Sequence, residues 1–161
     1  MNDRVGEALH LVRRFFGHLR AKPLGPDDQR FVHAHLQGRC AELFWKQCTP
    51  DQRHAVDVAR RAQDSLPGDV EVIEAALLHD VGKQGAGIGA ISRSIATVLD
   101  ALHLPMTNRM RLYRDHGEGG ATDLEDAGCG PFAVAFARHH PSPAPEGFDP
   151  ERWQALLDAD G

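Results

Sequence analysis

Apolar positions recur at helical spacing along almost the whole chain. Ala8, Leu9, Val12, Phe15, Phe16 and Leu19 form one stripe that stops before Pro23, and Phe31, Val32 and Leu36 form a second behind Asp27 and Asp28. Gly38 is expected to interrupt that second helix before Ala41, Leu43, Phe44 and Trp45. Thr49 as N-cap, Pro50 at the first helical position and Gln52 completing a T-x-x-Q box predict a well-marked helix carrying His54, Val58 and Ala62. Pro67-Gly68-Asp69 punctuates. Residues 70–81 are then apolar nearly all round, which predicts the central buried helix, with Gly82 as its C′ residue. Ile91, Ile95, Val98, Leu99 and Leu102 give another stripe, ended by Pro105. A helix with Met110 and Tyr113 leads to His116, where Gly117-Glu118-Gly119-Gly120 is expected to break it, and residues 124–127 read as a short helix stopped by Gly128. Residues 131–140 predict the next helix. Asp149 as N-cap with Pro150 behind it opens the last, which puts Trp153, Leu156 and Leu157 on one face. No alternating strand run, hairpin dipeptide or internal repeat interrupts the series. The expected fold is all-α, in one domain.

Composition narrows this picture modestly. The 161 residues carry 18 basic and 23 acidic side chains, a net charge of −5, which leaves no electrostatic footprint for a dedicated nucleic-acid binder. No run approaches the length of a membrane span and the first residues lack a signal-peptide core, so a soluble, cytoplasmic protein is expected. Cys40, Cys48 and Cys129 are scattered and odd in number. They read as reduced thiols, neither a disulfide framework nor a zinc site. Ten histidines are the compositional anomaly.

That anomaly directs attention to His79-Asp80-Val81-Gly82-Lys83, at the end of the most apolar segment. Neighbours on a helix point about 100° apart and do not share a target, but at a helix end both can reach one cluster. The competing interpretation is a C-terminal histidine favoured by the helix dipole beside a solvated aspartate. After Ala75-Ala76-Leu77-Leu78 two such side chains would be poorly solvated, which favours ligation. Lys83 is a surface lysine or a point charge for phosphate. His54 alone reads as a packing residue. His116, His139 and His140 each read alone as helix-terminal histidines, and Asp160, with Asp158 as competitor, as an acidic terminus. Taken together they supply the imidazole and carboxylate groups that borderline and hard divalent metals require. Gly85, Gly87 and Gly89 match neither the Walker nor the dinucleotide fingerprint, since no strand precedes them.

His54, then His79-Asp80 within Ala-Leu-Leu-His-Asp-Val-Gly-Lys, then a late aspartate, resembles the HD-domain superfamily of metal-dependent phosphohydrolases, over residues 50–160. The segment 49–55 with the helices before it is similar to small bacterial stand-alone members. The resemblance implies a compact helical bundle, with residues 1–48 packed as N-terminal helices on a core of 49–161. It implies His54, His79, Asp80 and Asp160 as metal ligands, Asp160 preferred over Asp158 because Ala159-Asp160 fits the family's usual ending. It implies Lys83 as the phosphate contact. His116, His139 and His140 look like the additional imidazoles of subgroups that hold two or more metals. No Gly-Tyr-Pro follows His140, which argues against the cyclic di-GMP subgroup bearing that motif.

The expectation is therefore a phosphohydrolase acting on a small phosphomonoester or phosphodiester, with a nucleotide as the favoured substrate. One or two divalent ions (Mn, Fe, Co, Ni or Zn, with Mg less suited) would activate water, with Asp80 bridging, Lys83 offsetting phosphoryl charge and His116 or His140 protonating the leaving oxygen. Two alternatives stay open at this point: a di-iron oxygenase on the same ligands, and a non-catalytic, metal-stabilised regulatory module.

Overall fold

The computed structural model describes residues 22–84 and 116–161, and the helices expected over 8–19, 91–102 and 110–113, with the glycine-rich stretch 85–89, fall outside them. The described residues form seven α-helices and no strand: α1 (Pro26–His35), α2 (Gly38–Lys46), α3 (Thr49–Ser65), α4 (Val70–Leu78), α5 (His116–Ala127), α6 (Pro131–His139) and α7 (Pro150–Asp160). A 3-10 turn, Val81–Gln84, follows α4.

The apolar segment becomes the hub. Val72, Ile73, Ala75, Ala76, Leu77 and Leu78 of α4 are all buried, and α1, α2, α3, α6 and α7 pack around them. Burying Ile73, Leu77 and Leu78 stabilises the fold by about 1.5–3 kcal/mol each. Asp69 caps α4, its carboxylate accepting from Val72 N at 3.2 Å. The helix ends at Leu78, three residues short of the expected end, and His79 is its C-cap in αR geometry. Gly82 is thus not a left-handed C′ residue; it lies inside the 3-10 turn.

Two further expectations change. The T-x-x-Q box does not form: Cys48 is the N-cap of α3, and Thr49 and Pro50 are already helical. Gln52 instead donates to Trp45 O (3.1 Å) and Gln47 O (2.9 Å), satisfying carbonyls at the end of α2. Nor does Gly117-Glu118-Gly119-Gly120 break a helix; it is the first half of α5. Gly117 and Gly120 share a face three residues apart. A Cβ on Gly117 would lie 2.8 Å from Ala137 O, and one on Gly120 would lie 2.9 Å from Gly82 N. Helix propensity loses here to backbone packing, which only glycine permits.

The cysteine expectation is also corrected. Cys40 of α2 and Cys129, between α5 and α6, form a disulfide across 89 residues of sequence. Linear spacing carried no hint of it, because packing of α2 against α5 makes the pair adjacent. Cys48 stands outside the bond, its thiol donating to Asp51 Oδ2 at 3.0 Å. No described helix is long and apolar enough to cross a membrane.

The last helix is secured at both ends. Asp149 accepts from Glu151 N and Arg152 N as N-cap. Arg152 donates to both oxygens of Asp69 at 2.7 Å and to Glu71 at 2.8 Å, tying the start of α7 to that of α4. Trp153 is buried among Phe132, Phe136 and Phe148, and its Nε1 donates to Ser142 O at 2.9 Å. Arg61 of α3 reaches the far end, donating to Ala159 O at 2.7 Å. These ties hold the helix that carries Asp160 against α3 and α4.

Candidate metal centre

Four helices bring side chains to one point beneath the end of α4. His54 arrives from the second turn of α3, His79 and Asp80 from the end of α4, His140 from the C-cap of α6, and Asp160 from the last turn of α7. Asp160 shares a face with Trp153 and Leu156, at i−7 and i−4, so the packing that buries them aims Asp160 inward. Asp158 lies off that face. It is exposed and accepts from Gln154 Nε2 at 2.8 Å, which decides between the two carboxylates.

The polar atoms lie at ligand spacing. His54 Nε2 is 2.9 Å from Asp160 Oδ1, His79 Nε2 is 3.4 Å from both Asp160 Oδ1 and Asp80 Oδ2, and His140 Nε2 is 3.9 Å from Asp80 Oδ1. Donors about 2.1 Å from a common ion in octahedral or tetrahedral arrangement stand about 3.0–4.2 Å apart. Two overlapping triads, His54–His79–Asp80 and His79–His140–Asp160, each place their donor atoms within 4.8 Å of one another. Asp80 turns one oxygen toward His79 and the other toward His140.

The imidazoles are oriented by the helices that carry them. His79 Nδ1 is 2.8 Å from Ala76 O, and His140 Nδ1 is 3.0 Å from Phe136 O. A carbonyl can only accept, so in each ring the proton sits on Nδ1 and the lone pair of the neutral form is on Nε2, facing the carboxylates. His79 Nε2 is buried with no hydrogen bond, although two carboxylate oxygens lie within 3.4 Å. A lone pair facing anions at that distance is repulsive unless positive charge intervenes. A proton can supply it: burial opposes charge on His79, yet Asp80 and then Asp160 outweigh burial and raise its pKa to about 10. Burial together with the neighbouring His79 pushes His140 down to about 4. Burial works against ionised Asp160, but the hydrogen bond to His54 and the neighbouring His79 hold its carboxyl far below the usual range. A divalent ion would supply positive charge there in place of the proton. The donor set fits one: imidazole nitrogens and carboxylate oxygens, with His79 and Asp80 buried and His54 and Asp160 partly exposed.

Lys83 sits at the rim, one turn beyond Asp80, its ammonium paired with Asp80 Oδ2. His139 does not join the others. As the residue before the α6 C-cap it points to the opposite side, where it is exposed and lines a shallow groove of about 550 Å³ with Arg138, Cys129 and Phe148. Adjacent residues on a helix diverge by about 100°, so the doublet supplies one imidazole to the cluster. His116 opens α5, and its side chain lies outside the described residues. Sequence reading passed over Phe136, which stacks on His140 (5.2 Å between rings, 10° interplanar) and fixes that ring's plane. Its only signal was position i−4 from the histidine.

Set against protein-family models, curated proteins and solved structures, the chain matches none.

Proposed function

We propose that the protein is a metal-dependent phosphohydrolase of the HD-domain kind, cleaving a phosphomonoester or phosphodiester, with a nucleotide as the favoured substrate. One observation carries this reading: the buried, bondless Nε2 of His79 sits between Asp80 and Asp160, with His54 and His140 closing the ring of donors. His54, His79, Asp80, His140 and Asp160 would hold the metal. A divalent ion bound there would lower the pKa of a water to near neutrality and offset phosphoryl charge.

The chain's own groups do the remainder. The carbonyls of Ala76 and Phe136 lock the tautomers of His79 and His140, so both rings present lone pairs without rearrangement. His140, its one neutral-form proton committed to Phe136 O, has none on Nε2 to give a leaving group and suits ligation better than acid catalysis. The leaving oxygen's proton then has to come from another group, and His116 remains the sequence's candidate. Lys83, partly exposed beside Asp80, is placed to exchange part of its pairing for a substrate phosphoryl oxygen. Apolar walls of α4 and α6 limit water at the buried side of the cluster.

The test is turnover of a panel of nucleotide and sugar phosphomonoesters and phosphodiesters by protein loaded with Mn²⁺ or Fe²⁺, alongside metal analysis. Phosphate or nucleotide release that disappears in His79→Ala and Asp80→Ala supports the reading. Protein that binds the ions yet turns over no phosphoester refutes it.

A further inference from the structure

On the side of α4 away from the histidines, a second set of donors converges. Cys40 comes from α2, Cys129 from the loop between α5 and α6, and Glu74 from the middle of α4. One donor atom from each lies within 4.8 Å of the other two. Glu74 precedes His79 by five residues, which rotates it about 140° around the helix, and the two sets share no residue.

The carboxylate is brought there by the loop. Gly128-Cys129-Gly130 is a glycine-flanked knuckle, with Gly128 at φ +75°. Cys129 N donates to Leu124 O at 3.0 Å and Gly130 N donates to Glu74 Oε1 at 3.2 Å. A Cβ at Gly130 would lie 2.5 Å from Glu74 Oε2, so any larger residue there would push the carboxylate from its present position. Glu74 is half-buried, and among the described residues no lysine or arginine pairs with it. A carboxylate with its charge unmatched, beside two sulfurs, has the makings of a cation site.

We propose that Cys40, Cys129 and Glu74 form a second metal site, of zinc type, available when the Cys40–Cys129 disulfide is reduced. A dithiol, or two equivalents of a monothiol, breaks the S–S bond. Two electrons and two protons pass to the cysteine sulfurs, and the reductant leaves as its own disulfide. A zinc ion then displaces the two thiol protons to solvent and takes two thiolates and the carboxylate, with water in the fourth position. Thiolates select zinc-class ions over magnesium or calcium. Tetrahedral ligands about 2.3 Å from zinc stand about 3.8 Å apart, which small side-chain rotations reach from the present positions. Disulfide and ion would each tie α2 to the α5–α6 loop, so the fold keeps this tether in either redox state.

Cobalt(II) reports thiolate ligation directly, through a sulfur-to-cobalt charge-transfer absorption that imidazole and carboxylate do not give. The protein is reduced with a phosphine, cleared of excess reductant, and titrated with Co²⁺. The expected result is one thiolate-bound cobalt per chain, displaced by Zn²⁺ and absent from oxidised protein. The band should survive His79→Ala and Cys48→Ser and vanish in Cys40→Ser. Glu74→Gln, which keeps both cysteines and the side-chain shape, should weaken cobalt binding by about tenfold or more. No thiolate band in reduced protein overturns the proposal, as does a band that persists in Cys40→Ser. Unchanged affinity in Glu74→Gln overturns the three-donor assignment even should the cysteine variant fail to fold.

Discussion

Gly119 and Gly120 are neighbours in α5 with opposite surroundings, which makes them a test of the packing argument. A methyl group at Gly119 meets nothing within 4 Å, whereas one at Gly120 meets Gly82 N at 2.9 Å and Gly82 Cα at 3.0 Å. Both contacts are to backbone, so no side chain can swing aside. Replacing an exposed helical glycine by alanine gains about 0.8–1.0 kcal/mol of helix propensity. Gly119→Ala should therefore raise the melting temperature by about 2–4 °C. Gly120→Ala gains the same propensity but overpacks the contact at a cost of about 1–3 kcal/mol. Propensity cancels in the difference between the variants, leaving Gly120→Ala less stable than Gly119→Ala by about 1–3 kcal/mol. Urea denaturation followed by helical circular dichroism measures that difference. Agreement of the two variants within about 0.5 kcal/mol, the scatter of ordinary surface substitutions, would refute the close approach of α5 to the turn that follows Asp80.

Three further outcomes follow from the site and its supports. A divalent ion at a hundred times its dissociation constant should stabilise the wild type by about 2.7 kcal/mol in thermal denaturation, and His79→Ala should lose that gain while His139→Ala keeps it. Asp160→Asn should lower metal affinity by more than about tenfold, measured by isothermal titration calorimetry, with Asp158→Asn within about twofold of wild type. Arg152, hydrogen-bonded to Asp69, holds that carboxyl below its usual range even though partial burial opposes ionisation. A carboxyl whose folded pKa is depressed contributes stability above its unfolded pKa of about 3.9 and loses it as pH falls through the folded value. Asp69→Asn should accordingly lose less stability than wild type over that acid interval in pH-dependent urea melts; parallel curves would exclude the Asp69–Arg152 contribution.

The all-helical architecture was legible because apolar spacing and proline-led starts are local signals. Residues 150–160 show this best: Asp149, Pro150, Trp153 and Leu156 take the roles their spacing predicts. Features that depend on a partner were not legible. Gly117 and Gly120 read as breakers because propensity is written in the chain, and the backbones of residues 82, 137 and 138 that need their missing side chains are not. Gln52 reads as half of a capping box, yet the carbonyls it satisfies belong to the preceding helix end. The Cys40–Cys129 bond is invisible for the same reason. At the candidate centre, residue types, helix-end positions and the family resemblance pointed to His54, His79, Asp80, His116, His139, His140 and Asp160; the fold brings five of them together, turns His139 away, and leaves the His116 side chain outside the described residues. Nothing in a His-His doublet says which ring faces inward; the direction of the α6 C-cap decides that.

The contact between His54 and Asp160 spans 106 residues, and every other donor lies between them in sequence. Small zinc modules gather their donors within a short loop, so the ion can nucleate their structure. Here the donor set stays incomplete until α7 has docked on α3 and α4. Were the proposed site to hold a cation, its capture would follow tertiary assembly, and ion uptake during refolding would serve as a clock for the final step.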